Sequence, residues 1–213
     1  MYNLIVGSFM LWVKQALLFS LLILPTAPLL AGELPSPLKD RQPALSLLGS
    51  STLHWFGLHV YEIALYTESL PYTTNTTAVL SLRYAISIKH KKLQEATLQE
   101  WKRLGQGTPE QQEKWISQLD KIWPDIKSGE ILSAFVKKDG PTTFYFGDSL
   151  IGEVADVAFG PAFFAIWLDE GCRYPKVRKG LLKEKLGYLL RWRDHYPLWL
   201  AGFRPLTRFT ICP

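Results

Sequence analysis

Residues 78–88, AVLSLRYAISI, place Leu80, Leu82, Tyr84 and Ile86 on one side of the chain and Ser81, Arg83, Ala85 and Ser87 on the other. Strict alternation puts one residue type on a common face only if the backbone is extended, so the segment is expected as a half-buried antiparallel strand. A few residues later the period changes. In KLQEATLQEWKRLG (92–105), Leu93, Thr97, Trp101 and Leu104 recur at helical spacing, and Gly105 is placed to cap the helix end. A chain that switches period in this way must build a sheet and then cover it with helices.

The remaining segments extend that pattern. A second helix opens at Thr108, with Pro109 at its first position and Gln111 completing a capping box. Its apolar stripe is Trp115, Leu119, Ile122 and Trp123, and Pro124 stops it. Upstream, ALSLLGSSTLHWFGLHVYEIALYTESL (44–70) reads as a long strand with a Gly-Ser turn near its start. Downstream, strands at 131–138 and 142–147 flank Asp139-Gly140, a hairpin turn. GDSLIGEV follows, then a helix through GPAFFAIWLDE ended by Gly171, and a basic helix opened by Pro175. The expected fold class is α+β, an antiparallel sheet covered by helices on one face. The domain is expected over 44–190, preceded by a Pro-containing linker at 32–43 and followed by an aromatic extension at 191–213.

Residues 1–31 are different material. After Gln15 the run ALLFSLLILPTAPLLA carries two prolines and ends on a small residue, which reads as a secretory signal peptide cleaved after Ala31. A start at Met10 rather than Met1 would give it a tidier beginning. The rival reading is a retained membrane anchor, since 4–31 hold one charge. Either way the folded part is expected outside the cytoplasm, in the periplasm or beyond. Without residues 1–31 the formal charge is 24 − 1 − 19 = +4. Most of that excess sits in KVRKGLLKEKLGYLLRWR (176–193), with seven basic residues against one acidic. Export argues against a nucleic-acid partner. The basic segment either rests on an anionic membrane surface or packs its apolar side on the sheet, and packing is the commoner arrangement.

The motif that invites a catalytic reading is G-D-S-L at 147–150. Hydrolases that use this tetrapeptide carry it near the mature N-terminus, with Asp-x-x-His far downstream. Here it lies two-thirds along the chain, and Asp194-His195 are adjacent, too close to act in series on one serine. Turn chemistry explains Gly147-Asp148-Ser149. His54 and His59, five apart in a strand-like stretch, are expected on opposite faces, and no histidine or cysteine spacing suits a metal. No cofactor is expected. Glu153 and Asp156 precede an apolar helix and read as caps rather than a catalytic pair. The distinctive constellation is aromatic: Trp55, Phe56, Tyr61 and Tyr66 upstream, Phe159, Phe163, Phe164 and Trp167 downstream. Flat side chains between a sheet and helices can fill a core or line an apolar cavity.

Five stretches in order carry a family resemblance: HVYEIALY (59–66), EATLQEWKRLG (95–105), IKSGE (126–130), TFYFGDSLIGEVAD (143–156) and FGPAFFAIWLDEGCRYPKVRKGLL (159–182). Together they resemble the bacterial, exported branch of the chalcone isomerase-like proteins. That resemblance implies an antiparallel sheet with helices packed against it and a cleft between. It also implies one of two functions: closing a chalcone to a flavanone, or binding fatty acids without chemistry. The enzymes' Arg and Thr positions fall near His54 and Tyr61, and their Tyr and Asn positions near Lys89 and Ala96, so none of the four types is kept. The expectation is therefore a non-catalytic binder of a small apolar or amphipathic, fatty-acid-like ligand. Its expected site is His54, Tyr61, Tyr84, Lys89, Phe159 and Phe163, with His54 and Lys89 available to hold an anion. The alternatives are an intramolecular lyase of the chalcone isomerase type with rearranged catalytic residues, and a protein-interaction role for the basic helix and aromatic tail.

Two cysteines in an exported chain, Cys172 and Cys212, are candidates for a disulfide. Closing a loop of about forty residues is worth roughly 4 kcal/mol through the entropy removed from the unfolded chain. The oxidised protein is then expected to melt well above the reduced one. Equal melting temperatures, or two titratable thiols, would remove the bond.

Overall fold

The computed structural model describes residues 32–41 and 43–183; Cys212, the Asp194-His195 pair, the remainder of the basic segment and the segments read as signal peptide and aromatic extension lie outside the described residues. Six strands form one antiparallel sheet in sequence order: β1 Ser46–Trp55, β2 Leu58–Thr67, β3 Ala78–Tyr84, β4 Ile131–Val136, β5 Thr142–Phe146 and β6 Ser149–Val154. A short helix, α1 Ser36–Lys39, precedes the sheet. Helices α2 His90–Leu104 and α3 Pro109–Ile122 connect β3 to β4, and α4 Phe159–Leu168 and α5 Pro175–Leu182 follow β6.

The long strand expected over 44–70 is a hairpin. Phe56 and Gly57 take φ of +48° and +79°, and Trp55 pairs directly with Leu58. A two-residue turn with both φ values positive matches the twist of antiparallel strands. It is inconspicuous in sequence because an aromatic stands where Asn or Asp usually stands. His54 and His59 are consequently cross-strand partners rather than residues on opposite faces, with ring centroids 5.3 Å apart. The expected turn near Gly49 is absent. Gly49 lies within β1, where the closing stretch of α5 passes so near that a Cβ would meet the Gly180 carbonyl oxygen at 2.3 Å. The described part of the basic segment thus packs on the sheet, burying Val177 and Leu181.

The helix signals are realised. Lys102 O and Trp101 O are bonded at the end of α2, where Gly105 adopts the left-handed conformation. Thr108 and Gln111 exchange the two capping-box hydrogen bonds that start α3. The α2 start has no cap from its own first residue. Instead Asp125 reaches back from beyond α3, accepting from Lys89 Nζ at 2.7 Å, from the His90 backbone N at 3.0 Å and from His90 Nδ1 at 2.8 Å. Those donors hold its carboxyl well below the usual carboxylate range.

The helices cover one face of the sheet, where Ile63, Leu65, Leu80, Leu82 and Phe144 are buried. The segment read as a linker covers part of the other. Leu38 packs with Val79 and Tyr145, and Arg41 lies 5.0 Å over the Phe135 ring. Polar groups on that face are satisfied: Ser81 Oγ donates to Glu33 O at 2.8 Å, and Ser133 Oγ donates to Ser81 Oγ at 2.9 Å. β3 is therefore buried on both faces, not half-buried as its alternation implies. Serine at an inward position imitates a solvent-facing residue until a strap of chain supplies its partner.

The contact of Gly49 with Gly180 leaves no room for a side chain. Gly49→Ala is expected to destabilise the fold by about 1–3 kcal/mol, as overpacking of a well-filled contact does. Urea unfolding of the two proteins measures it, and an unchanged midpoint would show that α5 does not seat on β1.

Candidate functional site

Between the helices and one end of the sheet lies a cavity of about 470 Å³, within the size range of small-molecule sites. The sheet supplies its floor through Tyr61, Leu82, Tyr84, Leu132 and Phe144; α2 supplies Leu93 and Thr97, and α4 supplies Phe163 and Trp167. Trp55, at 57% exposure, and the exposed Lys92 and Ala96 also line it, which places the mouth between the β1–β2 hairpin tip and α2.

Why a space remains here follows from how the neighbouring volume is filled. Trp101, Trp115 and Phe159 meet edge to face with centroids 5.2–5.8 Å apart, and Trp101 Nε1 donates to Ala162 O at 3.0 Å. Trp115 Nε1 donates to Asp156 Oδ2 at 2.9 Å, while Asp156 Oδ1 accepts from the Ala158 backbone N. These contacts set the separation of α2, α3 and α4 from the sheet. Beyond them Trp123, Phe144 and Phe163 continue the aromatic cluster and turn their remaining surface to the cavity.

The polar groups on the lining are few. Trp167 Nε1 donates to Tyr61 Oη at 2.8 Å. Tyr84 packs edge to face on Tyr61, centroids 5.7 Å apart. Among the described residues neither phenol O–H has an acceptor. Burial pushes both phenols far above their ordinary value, for Tyr61 against the opposing effect of the Trp167 bond. Glu100 lies on the wall with its carboxylate held by two cations, Arg103 at 2.6 Å and Arg173 at 2.6 Å. Lys92 is the one cation among the described lining residues, and it pairs with Glu95 at 2.7 Å.

The structure sorts the residues expected from sequence. Tyr61, Tyr84 and Phe163 line the cavity, as do Trp55 and Trp167. Phe159 belongs to the filled aromatic cluster. Lys89 is 78% exposed and bonded to Asp125, and His54 is exposed at the hairpin, stacked on His59; neither reaches the lining. Their expected role of holding an anion has no geometric basis, because a hairpin register and a helix cap direct them elsewhere. Of the positions matched to the isomerases' catalytic residues, only Tyr61 and Ala96 touch the cavity. Tyr66 and Phe56 leave the expected aromatic set: Tyr66 donates to Gly32 O on the strap side, and Phe56 is 93% exposed. Lys92 and Glu100 were missed. Their signal was available in the i, i+4, i+8 spacing with Ala96, one residue behind the apolar stripe of α2.

Ser149 opens β6, exposed, after a turn at Gly147-Asp148. Asp148 accepts from Ser36 N at 2.7 Å and Ser36 Oγ at 2.9 Å, fastening the strap rather than serving a nucleophile. Glu153 faces Thr143 and takes no part with Asp156.

Three comparisons bear on these observations. A family profile described as chalcone isomerase-like matches residues 32–183. An uncharacterized protein of Haemophilus influenzae is 26% identical over 136 residues, which is 63% of this chain and 66% of that relative, so the chain spans just under two-thirds of the relative's length. The crystal structure of an Arabidopsis thaliana fatty-acid binding protein superposes with a TM-score of 0.51 at 12% identity, covering 66% of this chain and 87% of that one. At that identity the likeness shows a shared fold.

The buried phenols make stability fall on the alkaline side. Up to about pH 10 a tyrosine is protonated whether folded or not; above it the unfolded chain ionises while Tyr61 and Tyr84 do not. The unfolded state then binds fewer protons, so stability is expected to drop by about 1.4 kcal/mol per pH unit for each such group. Urea midpoints measured from about pH 9 to 11 should fall, and less steeply in Tyr84→Phe. Identical slopes would place Tyr84 in solvent.

Proposed function

The chain belongs to the chalcone isomerase-like family, and from that premise we propose that it is an exported, non-catalytic binder of a small, largely apolar ligand held in the cavity between α2, α4 and the sheet. The observation that carries this reading is the cavity itself: its walls are aliphatic and aromatic apart from a few polar groups, and its mouth opens between an apolar hairpin tip and an amphipathic helix. Burial of apolar surface supplies the affinity, at roughly 25 cal/mol per Å² removed from water. The neighbouring fold of a plant fatty-acid binding protein supports a ligand of that kind.

Chemistry on such a ligand would need a base, a nucleophile or a stabilised anion. On the lining, the carboxylate of Glu100 is neutralised by Arg103 and Arg173, and the phenols are held protonated. That arrangement supports binding over catalysis. Export rests on the apolar segment at 1–31, and an apolar carrier outside the cytoplasm serves ligands that water does not dissolve.

Ala96→Trp tests the proposal, since Ala96 is exposed at the mouth and a helix tolerates tryptophan there at a cost below about 1 kcal/mol. The variant is expected to fold with an unchanged melting temperature. It should bind a neutral fluorescent probe such as Nile red at least about tenfold more weakly, a loss of about 1.4 kcal/mol. Equal binding by both proteins, or none by the wild type, would overturn the cavity as a site. Ester hydrolysis and chalcone cyclisation, run alongside, should stay at background; cyclisation above it would promote the isomerase alternative.

A further inference from the structure

The cavity has a surplus of hydrogen-bond donors on its floor. Tyr84 is 5% exposed and Tyr61 9%, and both line the cavity. Tyr61 Oη receives the Trp167 N–H, which leaves its own proton without an acceptor among the described residues. Among the described residues Tyr84 Oη has neither donor nor acceptor. Trp123 Nε1, on the same lining, is a buried donor with no partner among the described residues, and such a group keeps its full desolvation penalty until it finds one. The possible acceptor on the same wall, Glu100, is occupied by Arg103 and Arg173. A ligand is the natural source of the missing acceptor.

The charge on that acceptor can also be read. Among the described lining residues Lys92 is the one cation, and it stands at the mouth, side chain 71% exposed and bonded to Glu95. Moving an ionised carboxylate to the phenols would remove it from water with no free counter-charge on the described lining, since Arg103 and Arg173 are already paired with Glu100, and an unpaired buried charge is far costlier than an unpaired dipole. A carbonyl needs only the two hydroxyls.

We infer that the floor of the cavity recognises an uncharged hydrogen-bond acceptor, a ketone, ester or undissociated acid carbonyl, through the hydroxyls of Tyr84 and Tyr61. This rests on the cavity being a ligand site and specifies the class of ligand it takes. An apolar body fills the aromatic section, and the carbonyl marks which way round the molecule enters.

Three compounds of matched shape separate the possibilities: butylbenzene, butyrophenone and 4-phenylbutanoate, each displacing Nile red from the full chain. The ratio of butyrophenone to butylbenzene affinity is expected to fall about tenfold in Tyr84→Phe, and by a similar or smaller factor in Tyr61→Phe. At pH 8 the wild type should prefer butyrophenone to 4-phenylbutanoate. That acid should gain affinity as the pH approaches its carboxyl titration at about 4–5. Unliganded Tyr84→Phe should melt no lower than the wild type, since it loses a hydroxyl without a partner. An unchanged affinity ratio in both variants overturns the inference, as does tighter binding of the carboxylate at pH 8. If the wild type binds butylbenzene but shows no ratio change, the cavity remains a site and only its selectivity is lost. If the wild type binds none of the three, both readings fall.

Discussion

The contact on which the architecture depends is the meeting of Trp101 and Trp115 over Phe159. Two helices from the β3–β4 connection and one from beyond β6 converge there, and the two indole N–H groups are bonded to Ala162 O and Asp156 Oδ2. Each ring is large and rigid, and edge-to-face packing fixes their relative orientation as well as their burial. The helices therefore stand off the sheet at a separation set by indoles. Beside that cluster, between Leu53, Tyr61 and Tyr84 on the sheet and Leu93 and Trp167 on the helices, the described residues leave a cavity. Filled core and empty site are two parts of one interlayer.

The same geometry accounts for the polar character of the site. β2 and β3 bring Tyr61 and Tyr84 side by side as register partners, so two phenols share one patch of floor. Trp167, one turn beyond Phe163 on α4, reaches Tyr61 from above. Glu100 would add a negative charge to the wall, but Arg103 from the next turn and Arg173 from the α4–α5 connection neutralise it. Arg103 also donates to Gly171 O, which joins that connection to α2. The net result is a wall that donates hydrogen bonds and carries little charge.

Local signals were legible wherever a short stretch of sequence contains its own physical cause. Thr108, Pro109 and Gln111 make the start of α3 because their bonds close within four residues, and Gly105 ends α2 for a similarly local reason. Asp139-Gly140 turns between β4 and β5, and the order of strands and helices gave the fold class. Local signals mislead where the partner is distant. Phe56-Gly57 turns the chain without the usual residues, supported by the pairing of Trp55 with Leu58. Ser81 looks solvated until Glu33, 48 residues earlier, covers it. Segment 33–43 looks like a linker until Leu38 is seen against Val79 and Tyr145.

The candidate site divides the same way. Sequence alone determined that the chain is an antiparallel sheet overlaid by helices and that a turn falls at Gly147-Asp148, because periodicity and turn propensity are properties of neighbouring residues. Only the tertiary structure decided which aromatics fill and which line. It seated Phe159 in the core and Tyr61 at the cavity, took His54 and Lys89 out of the site, and put Lys92 at its mouth. Those outcomes depend on a hairpin register, a bulge between Leu53 and His54, and the height at which indoles hold the helices. Each is a relation between residues far apart in the chain, and no local pattern encodes it.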